Sequence, residues 1–222
     1  MIDTTRQSGL LAQEVLDPLT VEIVGCGAIG SHTAECMVKI GIRKIVIHDY
    51  DSVEDHNLAN QGYYLGDLGK TKVSALSHRL STGTGAEVIA VNEKFEVAQK
   101  LQSTILISAV DNMATREVLW DSFCKSPSTK LFIDGRMAAR YGQVFSITKE
   151  PTSMSLYEAS LFSDEEAYQA PCTEKSTIFC AYGLASLISA QLFNYLKEGQ
   201  VKTQVEICFR NMMLYSVEKE IS

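Results

Sequence analysis

The side chains best suited to chemistry in this sequence begin with a glycine-rich turn. The motif Gly25-Cys-Gly27-Ala28-Ile-Gly30 follows one apolar run, and a second apolar run delivers Asp49, 19 residues after the last glycine. Glycines in this setting permit a tight turn, close approach of the backbone to phosphate and close packing of helix on strand. A carboxylate at the position of Asp49 is placed to accept hydrogen bonds from ribose hydroxyls. These residues predict a nucleotide site without identifying the nucleotide.

The elements that must position this turn alternate regularly between residues 21 and 134. The sequence predicts strands at 21–24, 44–48, 87–91, 105–109 and 131–134, and helices at 28–40, 71–81, 96–102 and 113–124. This alternation predicts an α/β, Rossmann-like fold, with a mostly parallel sheet and helices on both faces. The runs at 21–24, 44–48, 104–110 and 130–134 are nearly continuous in apolar residues, which is typical of strands buried on both sides.

The second half of the sequence predicts an antiparallel extension of this sheet. Residues 140–149 alternate polar and apolar side chains like an antiparallel strand, and the polar, proline-containing stretch 150–175 is expected to be a loop. Residues 176–197 predict a long apolar helix begun by a capping Ser or Thr. The runs 204–210 and 213–218 predict a closing hairpin.

Length and composition favour one soluble domain. The chain has 222 residues, of which 45% are hydrophobic and 21% charged. We expect an N-terminal arm (1–19), a Rossmann-like core (20–144), a loop or crossover (145–175) and a long helix with closing strands (176–222).

The charge balance and the cysteines exclude several classes of protein. A net charge of -7 with scattered basic residues argues against nucleic-acid binding. The N-terminus is polar and no apolar run approaches the length of a membrane span, so a cytoplasmic protein that does not bind membranes is expected. The six cysteines are far apart in sequence and form no CxxC pair, which favours reduced thiols over disulfides or a structural zinc site.

Three further polar motifs follow the glycine turn. In order along the chain they are Asn57-Leu-Ala-Asn60-Gln61, Gly69-Lys-Thr-Lys72 and Asp111-Asn112-x-x-x-Arg116. Together with Asp49-x-Asp51, they make the sequence resemble the ThiF/MoeB/HesA family, the bacterial relatives of ubiquitin-activating enzymes. The resemblance runs from about residue 20 to residue 144 and resumes near 171–196. It implies an ATP-dependent adenylyltransferase that activates the C-terminal carboxylate of a small ubiquitin-like carrier protein or peptide and releases pyrophosphate.

The residue types also suit this chemistry. Attack of a carboxylate on an α-phosphate builds negative charge, so the site must supply cations and oriented donors. Lys72 is the best candidate for a phosphate-contacting cation, and the helix beginning at Ala28 adds its dipole. Asp111 is a hard oxygen ligand suited to Mg²⁺. The resemblance places a further set of nucleotide-binding residues at Asp51, Asn57, Asn60, Gln61 and Asn112.

Most of these residues also have a purely structural interpretation. Asn57 could cap the segment that follows the acidic loop, and Asp111 with Asn112 could form a helix N-cap even while binding a metal. Arg116 is more readily explained as an exposed or salt-bridged helical residue than as a catalytic one. Lys70 is expected to be solvated.

The sequence departs from the family pattern at Asn60, where the family carries an arginine that contacts ATP phosphates. An amide brings no charge, so either another cation compensates or the chemistry is impaired. The impaired case leaves a second interpretation, a non-catalytic subunit that binds the carrier or completes a heterodimer. The resemblance implies a homodimer in which Arg6 reaches the partner's ATP site, although an ordinary surface arginine explains Arg6 equally well. The apolar helix at 176–197 also favours a dimer.

Two further chemistries stay open at this point. Cys172 precedes the long helix, whose dipole could lower the thiol pKa, and this makes it the candidate nucleophile for a thioester or persulfide. Cys26 and Cys180 are expected to be packing residues. An NAD-dependent oxidoreductase is the third interpretation, but its only Tyr-x-x-x-Lys match, Tyr215 to Lys219, falls in the predicted last strand.

Overall fold

The structure is a computed structural model that describes residues 2–96, 101, 103–162 and 176–216. Its strands are β1 (Thr20–Val24), β2 (Lys44–His48), β3 (Glu87–Val91), β4 (Ile105–Ser108), β5 (Leu131–Ala138), β6 (Tyr141–Ile147), β7 (Gln204–Cys208) and β8 (Met213–Ser216). They form one sheet in the order β3-β2-β1-β4-β5-β6-β7-β8. The first five in this order pair in parallel, and β6, β7 and β8 are added antiparallel. The predicted mostly parallel sheet with an antiparallel extension is confirmed.

Helices cover both faces of this sheet. They are α1 (Gln13–Leu16), α2 (Ala28–Lys39), α3 (Lys72–Thr84), α4 (Met113–Lys125), α5 (Pro151–Glu158) and α6 (Ile178–Glu198). Successive strand residues point to opposite faces, so Ile105 and Ile107 of β4 pack in the core under α2, α3 and α6, while Leu106 packs in the core under α4 and α5. The central strands β1 and β4 are therefore buried on both sides, as their continuous apolar runs predict, whereas the edge strands β3 and β8 are largely exposed.

The predicted loop at 150–175 is wrong over its first part. Pro151–Glu158 form α5, which has Glu150 at its N-cap and proline at its first position. Proline at the first turn of a helix costs no hydrogen bond and presets φ. Tyr157 is fully buried against the sheet, so tertiary packing stabilises a helix that its Ser- and Thr-containing sequence predicts only weakly.

The long helix α6 begins two residues later than predicted. Thr177 occupies the N-cap position, but its side chain makes no capping bond and instead donates to the carbonyl of Ala139 at 2.9 Å. By length and composition α6 is the one described helix that could cross a membrane. It lies against α2 and β6 and buries Leu184, Ile188 and Leu192 completely.

Two smaller sequence predictions reach residues outside the described part of the chain. The helix predicted at 96–102 lies largely outside it, and so do the last two residues of the strand predicted at 213–218. The turn between β7 and β8 is at the predicted place, with Met212 at φ 57°.

The order of the strands creates one switch point, between β1 and β4. From β1 the chain crosses outward to β2 and β3, whereas β4 and β5 lie on the other side. The loops that leave the carboxyl ends of β1 and β4 therefore diverge, and a crevice opens between them where open parallel sheets bind ligands. Gly25 follows β1 and Ala109 follows β4, so the glycine turn lies at this crevice.

Candidate functional site

The glycine turn is shaped by close backbone contacts at two of its three glycines. Gly25 has φ +92°, and a Cβ there would lie 2.5 Å from the carbonyl oxygen of Ala109. A Cβ on Gly30 would lie 1.8 Å from the carbonyl oxygen of Gly25. Gly27, the N-cap of α2, has open space within 4 Å of its Cβ position. The turn therefore packs tightly on its protein side and leaves the N-terminus of α2 accessible to an anion.

Asp49 fixes this turn from the end of β2. Its Oδ2 accepts a hydrogen bond from the Cys26 N–H at 2.7 Å and its Oδ1 accepts one from the Asp51 N–H at 2.9 Å. Burial raises the pKa of the Asp49 carboxyl, and the hydrogen bond from Asp51 opposes the rise. Each carboxylate oxygen keeps a lone pair, so Asp49 can still accept a ribose hydroxyl.

Lys72 lies at the same edge of the sheet, as the first residue of α3. Its Nζ pairs with Asp51 Oδ2 at 2.8 Å. The Lys72 side chain is 8% exposed, and that of Asp51 is 50% exposed. The Lys72 N–H also donates to the Asp51 carbonyl at 2.9 Å. An ammonium group has three donors, so Lys72 can donate to a phosphate while it stays paired with Asp51. Lys70 is exposed and pairs with Asp67 at 3.3 Å, which agrees with its expected solvated role.

A cavity of about 200 Å³ adjoins these residues. It is lined by Tyr50, Lys94, Phe95, Asn112, Ala114, Thr115 and Val118. The motif analysis missed Tyr50, Lys94, Phe95 and Thr115. They follow the carboxyl ends of β2, β3 and β4. Because open parallel sheets bind ligands at the carboxyl ends of their strands, these positions in the sequence could have been predicted as ligand contacts. Phe95 is buried with its ring 5.4 Å from the ring of His48, so it supplies an apolar wall suited to a flat base.

Asn112 lines this cavity, and Asp111 beside it follows Ala109 and Val110, whose backbone lies against Gly25 of the glycine turn. Asn112 is the N-cap of α4, since its Oδ1 accepts from the Thr115 N–H at 2.8 Å, and its Nδ2 lies 3.3 Å from Asp111 Oδ1. The structural interpretation of this pair as a cap is therefore confirmed. The Asp111 carboxylate remains exposed.

The donor set at Asp111 fits Mg²⁺ of the kind held jointly by protein and substrate. Among the described residues no three His, Cys, Asp or Glu side chains cluster as a complete metal site. Mg²⁺ commonly keeps several waters and binds through one or two carboxylates together with substrate phosphates. An exposed carboxylate beside an anion-accepting helix N-terminus meets that requirement.

Behind Asp111, a buried ion cluster holds its loop in place. Asp134 of β5 is completely buried and accepts from Arg116 Nε at 3.1 Å, from Arg136 Nε at 2.7 Å and from the Tyr157 hydroxyl at 3.1 Å. Arg116 also donates to the carbonyl of Val110. Arg116 is thus salt-bridged, as its structural interpretation predicts, but it is buried, and it fixes the backbone next to Asp111.

Replacement of Asp134 by Asn is expected to lower the free energy of unfolding by about 3 kcal/mol, because it leaves two buried guanidinium groups without their carboxylate. Urea unfolding measures this loss. Asp121→Asn is the matched control, since Asp121 pairs on the surface with Lys125 of the same helix, and an exposed pair of this kind contributes about 0.5 kcal/mol or less. Equal effects of the two substitutions would contradict the assignment.

The segment 57–62 wraps over the first turn of α2. Asn57 is buried and its Oδ1 accepts from the Glu54 N–H at 2.9 Å. It therefore has a capping role, but in the turn Asp55–Asn57 that it ends and not as the first cap of a segment that follows it. Asn60 Nδ2 donates to Ser176 Oγ, just before α6. The Gly62 N–H donates to Ser31 Oγ at 2.9 Å. Asn60 therefore ties the segment to the start of α6, and its position adds no positive charge to the site.

Gln61 lies beside Asn60 in this segment. The side-chain oxygens of both residues, Asn60 Oδ1 and Gln61 Oε1, are buried without a hydrogen-bond partner among the described residues. These oxygens are free to accept hydrogen bonds from a ligand or from ordered water.

Of the predicted site residues, Arg6 is not brought to the site of its own chain. Cys172 lies outside the described residues. Arg6 is exposed in the N-terminal arm, where the neighbouring Gln7 donates to the carbonyl of Lys39 at the C-terminal end of α2. That end of α2 is opposite to Gly27, so Arg6 is remote from the site of its own chain. Cys26 and Cys180 are fully buried, and burial raises the pKa of both thiols, that of Cys180 to about 11, as expected of packing residues.

Comparison with known sequences agrees with these motifs. The sequence model of the ThiF family matches residues 3–215. Sulfur carrier protein ThiS adenylyltransferase of Bacillus subtilis is 31% identical over 155 residues, covering 65% of this chain and 45% of that protein. Ubiquitin-like modifier-activating enzyme 5 of Gallus gallus is 40% identical over 67 residues, covering 30% of this chain and 17% of that protein. The chain thus spans less than half the length of these relatives.

Solved structures share the fold. Escherichia coli MccB in complex with AMPCPP and MccA has a TM-score of 0.74 and 16% identity, covering 95% of this chain and 66% of that one. PaaA has a TM-score of 0.75 and 17% identity, covering 98% of this chain and 69% of that one. At this level of identity the likeness shows a common architecture alone.

Proposed function

Because the chain belongs to the ThiF family, we propose that it is an ATP-dependent adenylyltransferase. It activates the C-terminal carboxylate of a small ubiquitin-like carrier protein or peptide and releases pyrophosphate. Its relatives support this substrate class, since one is an adenylyltransferase of the sulfur carrier protein ThiS and another is an activating enzyme of a ubiquitin-like modifier. MccB, with the same fold, has been crystallised with ATP and with MccA.

One structural observation carries the proposal. The open N-terminus of α2 at Gly27, the ammonium of Lys72 and the exposed carboxylate of Asp111 all lie at the carboxyl edge of the parallel sheet, beside a cavity walled by Phe95. This arrangement suits a base in the cavity and phosphates over α2. It supports a nucleoside triphosphate better than a dinucleotide, because a cation and a metal-type carboxylate flank the phosphate end.

Each residue has a distinct part in the proposed chemistry. The free N–H groups at the start of α2 and the Lys72 ammonium bind the phosphates and offset the charge that builds when a carboxylate attacks the α-phosphate. Asp111 would hold Mg²⁺, with Asn112 beside it, and the bound ion would supply positive charge to the phosphates and the leaving pyrophosphate. Asp49 accepts the ribose hydroxyls.

Asp51, Asn57, Asn60 and Gln61 complete the proposed nucleotide-binding set. Asp51 orients Lys72 through their ion pair. Asn57 holds the backbone of its segment in place, since its carbonyl accepts a hydrogen bond from the Gln61 N–H at 2.9 Å. The side-chain oxygens of Asn60 and Gln61, which have no hydrogen-bond partner among the described residues, are proposed as acceptors for donor groups of the ligand.

Exchange of labelled pyrophosphate into ATP tests the function. We expect exchange that requires both Mg²⁺ and a carrier whose C-terminus is free, because reversal of adenylation needs the carrier adenylate. Carrier with a blocked C-terminal carboxylate is the matched control. Absence of exchange with a carrier shown to bind tightly would overturn the proposal.

Asn60 favours a second candidate, a non-catalytic subunit that binds a carrier or completes a heterodimer. Its amide is engaged with Ser176 and brings no cation to the phosphates. Calorimetry with Mg-ATP separates the candidates, since an enzyme must bind the nucleotide, whereas a scaffold need not. Micromolar binding together with exchange would exclude the scaffold.

We further propose a cytoplasmic homodimer in which Arg6 contacts the partner's site. The exposed arm supports this, because Arg6 is remote from its own site while its side chain faces solvent. Sedimentation of the free protein tests the assembly, and a monomer at micromolar concentration would contradict it.

Cys172 is proposed as the acceptor of the activated carboxylate, and trapping of a thioester that Cys172→Ser abolishes tests that step.

A further inference from the structure

Arg79 of α3 lies beneath the segment that carries Asn60 and Gln61. Its Nη1 donates to the carbonyl of Gly62, and its guanidinium lies 5.5 Å from the ring centre of Tyr64. A Cβ on Gly62 would lie 2.9 Å from Arg79 Nη2, so the absence of a side chain at position 62 makes room for the guanidinium. The side chain is 25% exposed. Its charge is therefore held in a fixed place beneath this segment.

The positive charge of Arg79 is poorly matched within the described residues. Its nearest carboxylate, Glu35, lies 4.0 Å away and pairs more closely with Lys39, at 2.7 Å. Arg79 Nη2 has no hydrogen-bond partner among the described residues. Arg79, Lys39 and Glu35 together therefore carry a net charge of about +1. Lys72, in contrast, is matched one to one by Asp51.

A short chain of contacts connects Arg79 to the open end of α2. The Gly62 N–H donates to Ser31 Oγ at 2.9 Å, and Ser31 Oγ donates to the carbonyl of Gly27 at 2.7 Å. The field of Arg79 also reaches the glycine turn. Tyr63 donates to the carbonyl of Cys26, and Arg79 opposes the rise that burial causes in the pKa of Tyr63. A mostly buried positive charge that acts on Tyr63 is also expected to attract an anion bound at the neighbouring Gly27.

We infer that Arg79 is a positioning residue that supplies positive charge for the triphosphate of ATP, from beneath the segment in which position 60 carries an uncharged amide. It acts through its field and through the Gly62 segment that it anchors. The inference rests on the proposed function, because it requires phosphates over the N-terminus of α2.

Calorimetry with Mg-ATP and with adenosine tests this role. Arg79→Gln is expected to weaken binding of Mg-ATP roughly tenfold. Binding of adenosine is expected to change less than twofold, since adenosine has no phosphate for the positive charge to attract. Arg79→Lys keeps the charge and is expected to stay within about threefold of the native affinity. Adding Asn60→Arg to Arg79→Gln is expected to restore most of the loss, because it returns a cation to the same segment.

A second variant acts in the opposite direction. Glu35→Gln removes the carboxylate that partly offsets Arg79 while leaving the guanidinium in place, so Mg-ATP is expected to bind about threefold more tightly. This variant keeps the test available if Arg79→Gln fails to fold.

Three results would overturn the inference. Equal losses for Mg-ATP and adenosine would make Arg79 a merely structural residue, and so would failure of Asn60→Arg to restore binding. Unchanged Mg-ATP affinity in both Arg79→Gln and Glu35→Gln would also overturn it while leaving the proposed function intact. If the native protein binds no Mg-ATP, the proposed function fails as well.

Discussion

Asp111→Asn is expected to reduce carrier-dependent pyrophosphate exchange by roughly a hundredfold or more. The substitution keeps the size of the side chain but removes the charge that a hard divalent cation requires. Asn112 remains able to cap α4 through Thr115, so the fold around the site is expected to persist. Asp111→Asn should therefore reduce the exchange activity without reducing the stability of the fold, and a thermal unfolding curve checks this.

Glu117→Gln is the matched control for Asp111. Glu117 is another exposed carboxylate on α4, so its substitution changes the net charge equally without touching the site. A second readout sharpens the comparison. Native ATP affinity should fall when EDTA removes Mg²⁺, whereas the affinity of Asp111→Asn should be low with or without the ion. Full exchange activity in Asp111→Asn would refute the metal role.

The parallel core could be predicted from the sequence because its signal is local. The run at 105–109 is apolar enough to be buried on both faces and too short for a helix, and β4 was found there. The helix α5 was missed because its evidence is not local. Its sequence contains Pro151 and several hydroxyl residues, and the contact that stabilises it, Tyr157 on Asp134, joins parts of the chain 23 residues apart.

The same distinction between local and long-range signals applies to the candidate site. Glycine spacing and the positions of Lys72 and Asp111 are visible in the sequence because they follow strand ends. The ion pair of Lys72 with Asp51 and the contact of Asn60 with Ser176, 116 residues away, depend on how loops fold over the sheet edge. The interpretation of Asn60 as a lost cation could therefore be made from sequence, while the position of Arg79 nearby could not.

Two alanine substitutions in the glycine turn are expected to separate folding from nucleotide binding. Gly30→Ala would place its Cβ 1.8 Å from a backbone oxygen of Gly25, which no rotamer change relieves. We expect it to lower the free energy of unfolding by about 3 kcal/mol or more. Gly27→Ala meets nothing within 4 Å, so its cost is expected to stay near 1 kcal/mol, the scale of an N-cap change.

The same Gly27→Ala substitution is expected to weaken Mg-ATP binding at least about tenfold, because the new methyl group occupies the space through which phosphate approaches the N–H groups of α2. Urea unfolding and calorimetry on the two variants give the comparison directly. Gly27→Ala should be folded and deficient in binding, whereas Gly30→Ala should lose binding only in proportion to its loss of folded protein. Normal Mg-ATP affinity in Gly27→Ala would show that phosphates do not bind at this helix, and the adenylyltransferase assignment would then lose its structural basis.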